Sequence, residues 1–499
     1  MIDHFQDLII FQKGLTLINE DDYQETLDLI LKSDYLNSAN QISFLTHEIF
    51  QAYTVRPQNL GFLTRLVKDI INSDESKRNL TPFKAIFIEQ TLSGVDDNNK
   101  SGLCAAYHFM YRLLEENTLT LDELLPIFDA ILQKPKEKVN TIAIIKIFFG
   151  SVIAKLHPTL YTRIFSDEFT KSFSYFNEFI NNINEIKDQL VHYGHPLDSI
   201  QHAIATDDVD KLNQFSLAPN FNINMKLINK MVLMEPYPVL QGDPTLILYA
   251  AYCNSINCFK WLFLNGANLN AKDKWGQDAA YFAISGGALE ILRILEQQGF
   301  DVYNLEPCIE HRQYHIFDWI IEQNLDEKGR YPHDLINNAY IFSARYNNAY
   351  TLCECLKYGA DPMANLQLWG ALHQSILYSD LQMAILLAQC SEIDVNWKDA
   401  NGCSALLFAT TNHCYKVVQA LIENPRVDIN TSDHNQWTCL HRLVSDRETE
   451  MIKLICSLKG FDGNAKDING RSAYDLAVAM KYQEAMDIIA KSPGYNPSN

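Results

Sequence analysis

Apolar residues recur at helical spacing in the second half of the chain, and polar turn residues separate these apolar stretches. In residues 288–299, Leu289, Leu292 and Leu295 fall on one side of a helix that ends at Gly299. Glycine readily takes the left-handed conformation found at helix ends, so it marks the stop. A short helix of this kind cannot bury its apolar side alone, and it therefore needs a neighbouring helix.

The pattern repeats with a period of 33 or 34 residues. It is clearest around Gly402, Gln436 and Gly470, each of which stands two positions before a Ser or Thr. The full set of equivalent positions is Asp243, Gly276, Ile336, Leu368, Gly402, Gln436 and Gly470. Residues 308–324 fit one shortened unit and residues 199–215 fit a further unit at the front, which makes about nine units. A period of this length indicates an array of helix pairs rather than one core.

Each unit opens with a turn and a helix cap. An Asn-x-x-Asp linker comes first, and because Asn and Asp hydrogen-bond to their own backbone, it favours a turn. A Ser, Thr or Asp follows, whose side chain can accept a free N–H at the start of a helix. The linker pairs are Asn270 with Asp273, Asn396 with Asp399, Asn430 with Asp433, and Asn464 with Asp467; the caps are Thr245, Asp278, Ser404, Thr438 and Ser472. The order within a unit is therefore helix, turn, helix, glycine stop and linker.

Residues 1–195 do not follow this period and predict a separate helical region. An apolar stripe follows the break at Arg56-Pro57; its members are Leu60, Leu63, Val67, Ile70 and Ile71. Residues 141–156 are the most apolar long stretch, but they are shorter than the ~20 residues of a membrane span and contain Lys146. We expect a buried helix there, and the aromatic residues 173–180 also fit a helix face in the core.

Charge and cysteine usage narrow the class of protein. The net charge is −20 over 499 residues, and it is spread over the chain as −8 for residues 1–195 and −12 for the rest. Nucleic acid and anionic membrane surfaces are therefore not expected as partners, because both are bound mainly through Lys and Arg. Ten of the eleven cysteines follow residue 250 without regular spacing, which favours reduced thiols in the core. Asp3 and Asp7 stand where a secretory signal would be positively charged, so we expect a cytoplasmic protein without membrane insertion.

A search for chemistry finds two weak candidates. Phosphate-binding, dinucleotide-binding, HExxH and GxSxG motifs are absent from the sequence. Cys308, His311 and His315 have a spacing that could place three metal ligands near one helical side, but a zinc site would want a fourth ligand. Cys104 and His108 could pair as nucleophile and base, or as a buried thiol beside a partly exposed imidazole. We favour packing for both groups and expect no cofactor, no metal and no enzyme activity.

A capping Thr or Ser, a Leu-His pair, a close-packing Ala and a terminal Gly-Ala-Asp together resemble the ankyrin repeat. The resemblance covers residues 196–492 and is best in TCLHRL at 438–443 and YGADPMA at 358–364. The units depart from the pattern because they lack proline at the second motif position and keep the histidine only at His373 and His441.

A helical region before degenerate repeats is also similar to the large ankyrin families of trichomonad protists. The resemblance implies an all-α fold, in which a helical N-terminal domain (residues 1–195) precedes an α-solenoid of about nine degenerate ankyrin repeats (residues 196–499).

In ankyrin proteins the linker tips and first helices form an extended binding surface, and the variable residues of the tips are free for recognition. The resemblance therefore implies partner-binding residues here, namely Lys274, Trp275, Trp397, Lys398, Asn401, His434, Asn435, Trp437, Lys466 and Asn469. The tryptophans suit an interface, but they could instead staple one linker to the next. The three lysines could meet an acidic patch, or simply be solvated.

Two functions remain open from the sequence. The first is a non-enzymatic scaffold or adaptor that binds a protein partner. In one version of this hypothesis the protein is a component of a cytoskeletal assembly. The alternative is a catalytic or regulatory N-terminal domain that the repeats bring to a substrate protein. Replacement of Cys104 and His108 would separate them, because a catalytic pair would lose function while the fold survives.

Overall fold

The structure divides into two compact units, which we describe separately. The computed structural model describes residues 5–74, 83–93, 100–132, 139–164, 196–227, 241–326, 329, 331–367, 369–378 and 381–496. The larger unit is Ile10–Ile316, and the smaller unit joins Met1–Ile9 to Phe317–Asn499. The aromatic segment 173–180, predicted as a helix face in the core, lies outside the described residues. The predicted domain boundary at residue 195 also lies there, so both stay predictions.

The first part of the larger unit is helical, as the sequence predicts. Its helices are α1 (Gln6–Thr16), α2 (Tyr23–Lys32), α3 (Ala39–Val55), α4 (Leu60–Asp74), α5 (Phe83–Ser93), α6 (Lys100–Glu115), α7 (Leu121–Leu132), α8 (Val139–Leu156) and α9 (Pro158–Ile164). Helices two places apart in the chain pack together, as α2 does on α4, α3 on α5, and α4 on α6. The predicted stripe on α4 is buried throughout, and α8 buries most of its apolar residues, so both helix predictions are confirmed.

Helix pairs of the predicted kind complete the larger unit. They are α10 (Ile200–Ala205) with α11 (Val209–Ser216), α12 (Leu246–Tyr252) with α13 (Ile256–Leu264), α14 (Ala279–Gly286) with α15 (Leu289–Gln297), and α16 (Leu305–Glu310) before α17 (Tyr314–Gln323), which crosses into the smaller unit. First helices stack on first helices, since α12 packs on α14 and α14 on α16. The shortened unit predicted at 308–324 is therefore a real helix pair.

The smaller unit continues the same pattern. Its pairs are α18 (His333–Arg345) with α19 (Ala349–Lys357), α20 (Ala371–Tyr378) with α21 (Leu381–Gln389), α22 (Ala405–Thr411) with α23 (Tyr415–Ile422), α24 (Cys439–Asp446) with α25 (Thr449–Cys456), and α26 (Ala473–Ala479) with α27 (Gln483–Ala490). Two short antiparallel strands, β1 (Asn365–Leu366) and β2 (Trp369–Gly370), form a turn before α20. Nine helix pairs thus occur among the described residues, and the all-α solenoid class is confirmed.

The predicted caps and stops hold with three differences. Asp278, Ser404 and Ser472 accept the expected N–H, but Thr245 occupies its cap position without such a bond. Gly299 ends α15 at φ +83°, where a side chain would be strained.

The second difference is that α18 begins at His333, earlier than the frame at Ile336 predicts. Pro332 stands at its cap with φ −53°, a value that the proline ring fixes and that leads directly into a helix. The frame position Leu368 lies outside the described residues.

The third difference concerns the linker asparagines, whose side-chain amides bond to the backbone of the next linker. Asn396 accepts the backbone N–H of Asp428 at 2.8 Å and donates to the Arg426 carbonyl at 2.7 Å. Asn430 makes the same bridge to Asp462 and Gly460. These amides therefore join each linker to the next, a long-range role that the local pattern could not reveal.

Candidate protein-binding site

The tip of each repeat is a tight turn built on the linker aspartate. We define the tips as residues 274–277, 400–403, 434–437 and 468–471. In the smaller unit, Asp399 Oδ1 accepts the backbone N–H groups of Asn401 and Cys403, both at 2.8 Å. Asp433 and Asp467 do the same two and four residues ahead, at 2.8–2.9 Å. The backbone of each tip is therefore held in one conformation.

Adjacent tips are also bonded to each other. The backbone N–H of His434 donates to the Asn401 carbonyl at 3.1 Å, and the N–H of Ile468 donates to the Asn435 carbonyl at 2.9 Å. Because these bonds use main-chain groups only, the side chains stay available. Three consecutive tips of the smaller unit thus form a continuous bonded row.

The structure places eight of the predicted binding residues in the smaller unit. Six of them are exposed, namely Lys398, Asn401, His434, Asn435, Lys466 and Asn469. Trp397 and Trp437 are half-buried. Ile468, which sequence reasoning did not select, is 63% exposed at the start of the tip 468–471.

The two half-buried indoles pack on the histidines of the Leu-His pairs. The Trp397 ring lies edge-on to His373, with 5.4 Å between ring centroids, and therefore links its linker to the preceding repeat. The Trp437 ring stacks on His441 at 6.2 Å, and the Arg442 guanidinium lies 4.8 Å from its centroid. The contact of Trp397 favours a structural role, in which its ring joins its linker to the preceding repeat. Trp437 differs, because one face of its ring lies beside the Arg442 guanidinium.

Both histidines connect neighbouring repeats. Nε2 of His373 donates to the Cys403 carbonyl, and Nε2 of His441 donates to the Arg471 carbonyl, each at 3.1 Å. Burial lowers the pKa of both imidazoles, which favours the neutral form. Their role is structural.

The two lysines of the smaller unit lie in different surroundings. Nζ of Lys398 donates to the Ser432 carbonyl of the next linker at 2.7 Å, so this side chain is held in place although it is exposed. Lys466 is exposed near the carboxylate of Asp475, whose pKa it helps to lower.

The remaining two predicted residues lie in the larger unit. Nζ of Lys274 donates to the Gln241 carbonyl and lies 4.8 Å from the Trp275 ring centroid. Trp275 is 52% exposed, so this tip presents an indole backed by a cation. Asp273 holds the turn through the N–H groups of Trp275 and Gln277, both at 2.8 Å.

Sequence reasoning missed a buried ion pair in the larger unit. Nη2 of Arg312 lies 3.2 Å from Oε2 of Glu48, and both side chains are almost fully buried at 2% and 0% exposure. Gln12 donates to the other carboxylate oxygen at 3.1 Å, and Arg56 donates to Gln313 at 2.7 Å. Arg312 also donates to the Thr16 hydroxyl of α1 at 3.3 Å, so the turn between α16 and α17 is bonded to α1, to α3 and to the segment that follows α3.

The candidate nucleophile is enclosed in the helical core. Cys104 has no exposed surface and His108 is 8% exposed, so the expectation of a partly exposed imidazole is wrong. Nδ1 of His108 shares a hydrogen bond of 2.8 Å with the Tyr53 hydroxyl, and its ring stacks on Phe148 at 5.5 Å. A substrate cannot reach this thiol without opening the core, which argues against the catalytic role.

The candidate metal ligands are used separately. Sγ of Cys308 donates to the Leu305 carbonyl, and His315 contacts the Gly287 carbonyl at 3.2 Å. Burial lowers the pKa of His311 to about 4. Within the described ranges no three His, Cys, Asp or Glu side chains are grouped to hold a metal ion, and no helix there is long and apolar enough to cross a membrane.

Comparison with known proteins identifies the repeats. A family model described as ankyrin repeats (three copies) matches residues 341–433, and one described as ankyrin repeats (many copies) matches residues 245–296. These segments include the tips at 274–277 and 400–403, whereas the tips at 434–437 and 468–471 follow the match that ends at residue 433.

Curated relatives are distant. A protein of Acanthamoeba polyphaga mimivirus, named as an ankyrin repeat protein, is 22% identical over 250 residues, which is 49% of this chain and 29% of the relative. Alpha-latrotoxin-Lg1a of Latrodectus geometricus is 26% identical over 126 residues, 25% of this chain and 9% of the toxin. Alpha-latrocrustotoxin-Lt1a of Latrodectus tredecimguttatus is 32% identical over 80 residues, 16% of this chain and 6% of the toxin. The chain therefore spans less than a third of each relative.

Proposed function

Because the chain contains ankyrin repeats, we propose that it is a non-enzymatic scaffold or adaptor that binds a protein partner through its repeat tips and first helices. Ankyrin repeats are in general protein-interaction modules rather than catalysts. The whole relatives are much longer than the matched segments, so neither toxin activity nor a trichomonad-type family is carried over to this chain.

The bonded tip row of the smaller unit is the observation that carries the proposal. Its backbone is held by the aspartates and by tip-to-tip bonds, so a partner would not have to order it. Pre-organised surfaces bind more tightly because less conformational entropy is lost on association. The exposed Asn401, His434, Asn435 and Asn469 are the side chains that this frame presents, and Lys398 and Lys466 flank them.

The N-terminal helices act in this proposal as a second interaction module or as a support for the repeats. The enclosure of Cys104 argues against the catalytic alternative. Cytoplasmic residence and incorporation into a cytoskeletal assembly remain parts of the proposal, since the identity of the partner decides both.

The test is cross-linking of the native protein in gently lysed cells, with the linked lysines mapped by mass spectrometry. We expect links from Lys398 and Lys466 to one abundant protein, with Lys274 as a further reporter. Tip variants His434→Glu and Asn435→Arg should lose these links, because they change exposed side chains that no tip bond uses. The control Lys453→Gln, on the second helix α25 where the lysine is exposed, should keep them.

Failure has a distinct appearance. If the tip lysines link to no protein, or if links persist at full level in both tip variants, then the tips are not the binding surface. Links confined to residues of the N-terminal helices would contradict the scaffold role of the repeats.

A further inference from the structure

One position on the first helices carries a charge in a single one of the aligned repeats. The residue four places after the cap is apolar in most repeats and packs into the core. The equivalent residues are Tyr249, Phe282, Gln374, Phe408, Arg442 and Leu476. Tyr249, Phe282 and Phe408 are buried, but the Arg442 side chain is 28% exposed. A charge at a position that packing normally fills needs a reason beyond stability.

The guanidinium of Arg442 is held in place by an aromatic stack. Its Cζ lies 4.8 Å from the centroid of Trp437, which itself stacks on His441. His441 is bonded to the Arg471 carbonyl at 3.1 Å, so the stack has a rigid base. A cation over an indole is stabilised, and its plane is oriented.

Within the described chain this guanidinium donates no hydrogen bond. Nη2 of Arg442 is 3.9 Å from Oδ2 of Asp433, which is too far for a hydrogen bond, and Nε is buried without an acceptor. Oδ1 of Asp433 is already occupied by two backbone N–H groups of its tip, those of Asn435 and Trp437. Nε is enclosed, but the side chain is 28% exposed, so the two Nη groups are the donors that an acceptor from outside can reach.

The next repeat supplies a contrast from another position, because Arg471 stands at the tip position that Trp437 fills in the repeat of Arg442. Nε and Nη2 of Arg471 donate to Oδ2 of Asp467 at 3.0 Å and 2.7 Å. The same side chain type beside an equivalent linker aspartate is therefore satisfied internally in one repeat and not in the other.

We propose that Arg442, backed by Trp437, is the anchor for an aspartate or glutamate side chain of the protein partner, which binds as an acidic segment. This inference rests on the proposed function. The planar fork of a guanidinium matches a carboxylate through two parallel hydrogen bonds, and stacking on the indole leaves the edge with the two Nη groups free for them. Two further cations, Lys398 and Lys466, are exposed on the linkers of the smaller unit, and they favour an acidic partner over a basic one.

The experiment selects binders of the full chain from a random peptide library displayed on phage, and then measures the affinity of a selected synthetic peptide by fluorescence anisotropy. We expect the selected peptides to share an Asp or Glu. Arg442→Gln should weaken binding at least tenfold, and replacing the shared acid by its amide should weaken it equally. The two changes together should cost no more than either alone, because they remove the same contact.

Two variants guard against trivial causes. Lys453→Gln removes one charge from the second helix of the same repeat and should weaken binding less than twofold. Arg442→Lys keeps the charge but not the fork, and should fall between the native chain and Arg442→Gln. Both are compared with the native chain by circular dichroism and thermal unfolding, so that a loss of fold is recognised.

The outcomes separate this inference from the proposed function. Peptides that bind without a shared acid, or that bind Arg442→Gln as well as the native chain, overturn the carboxylate anchor and leave a binding surface of other chemistry. If no peptide is selected and the tip lysines also form no cross-links, both the anchor and the scaffold role are overturned.

Discussion

Three arginines of the repeats, Arg312, Arg471 and Arg442, show three levels of partnering. Arg312 is buried and paired with the buried Glu48, Arg471 is half-exposed and bonded to Asp467, and Arg442 donates no hydrogen bond within the described chain. A buried charge must have its partner, because desolvation costs several kcal/mol per ion. A partly exposed charge such as that of Arg442 can be left for a ligand. The comparison teaches that burial forces Arg312 to be paired, whereas for the two partly exposed arginines the distance to the linker aspartate, 2.7 Å for Arg471 and 3.9 Å for Arg442, decides which one keeps its donors for recognition.

The largest expected effect is at the buried pair. Glu48→Gln removes the carboxylate and leaves the Arg312 guanidinium uncompensated, so we expect a loss of about 3–5 kcal/mol in the free energy of unfolding. Denaturant unfolding combined with hydrogen exchange of the larger unit measures it. The control Glu290→Gln removes an exposed partner of Arg293 in the same unit and should cost roughly 0–1 kcal/mol. Equal losses in the two variants would contradict the ranking.

The second effect is a pH dependence of the same buried turn. Burial, with the Arg56 guanidinium adding, lowers the pKa of His311 from 6.5 to about 4. The folded state then binds fewer protons than the unfolded state between these values, so stability is present above pH 6.5 and falls on acidification toward pH 4. The loss is on the order of 3 kcal/mol, at about 1.4 kcal/mol per pH unit.

Denaturant titrations at several pH values check this expectation. His311→Gln should flatten the dependence in this window, whereas His434→Gln, which changes an exposed tip histidine, should leave it as in the native chain. An unchanged slope in His311→Gln would show that the acid loss has another source.

The third effect concerns the intermediate arginine. The Arg471 guanidinium holds the pKa of Asp467 well below its usual range, so this contribution to stability is present above about pH 4 and is lost as pH falls. Arg471→Gln should raise the pKa of Asp467 and cost less stability at pH 7 than Glu48→Gln. Carbon-detected NMR titration of the Asp467 carboxyl measures the shift, and no movement would mean that the tip N–H groups alone set this pKa.

The smallest effect on stability is expected at Arg442. Arg442→Leu should leave the free energy of unfolding within about 0.5 kcal/mol, or increase it, because Leu476 and Phe408 occupy the equivalent positions. Arg312→Leu, by contrast, leaves Glu48 buried without its partner and should cost several kcal/mol. A large loss of stability in Arg442→Leu, measured by the same denaturant titration, would show that Arg442 is a structural residue like Arg312.

Much of the binding frame could be foreseen from local signals. The caps Asp278, Ser404 and Ser472, the stop at Gly299 and the turns at the linker aspartates follow from residue types that satisfy or terminate a helix within a few positions. The exposure of Asn401 and His434 then follows from their place at a turn. By contrast, the sequence did not predict that α18 begins directly after Pro332. This repeat is degenerate, so it has no Ser, Thr or Asp cap that could be aligned with those of the other repeats.

The sequence by itself determined the order of helices, the repeat period, the position of each tip and the all-α class, because these depend on spacing and on groups that lie close in the chain. Only the tertiary structure decided the state of each charge. The partner of Arg312 lies 264 positions away, and Arg442 differs from Arg471 by an ångström or so in how near a carboxylate comes. Such distances are set by packing of whole helices, and pairing of charges depends on them steeply.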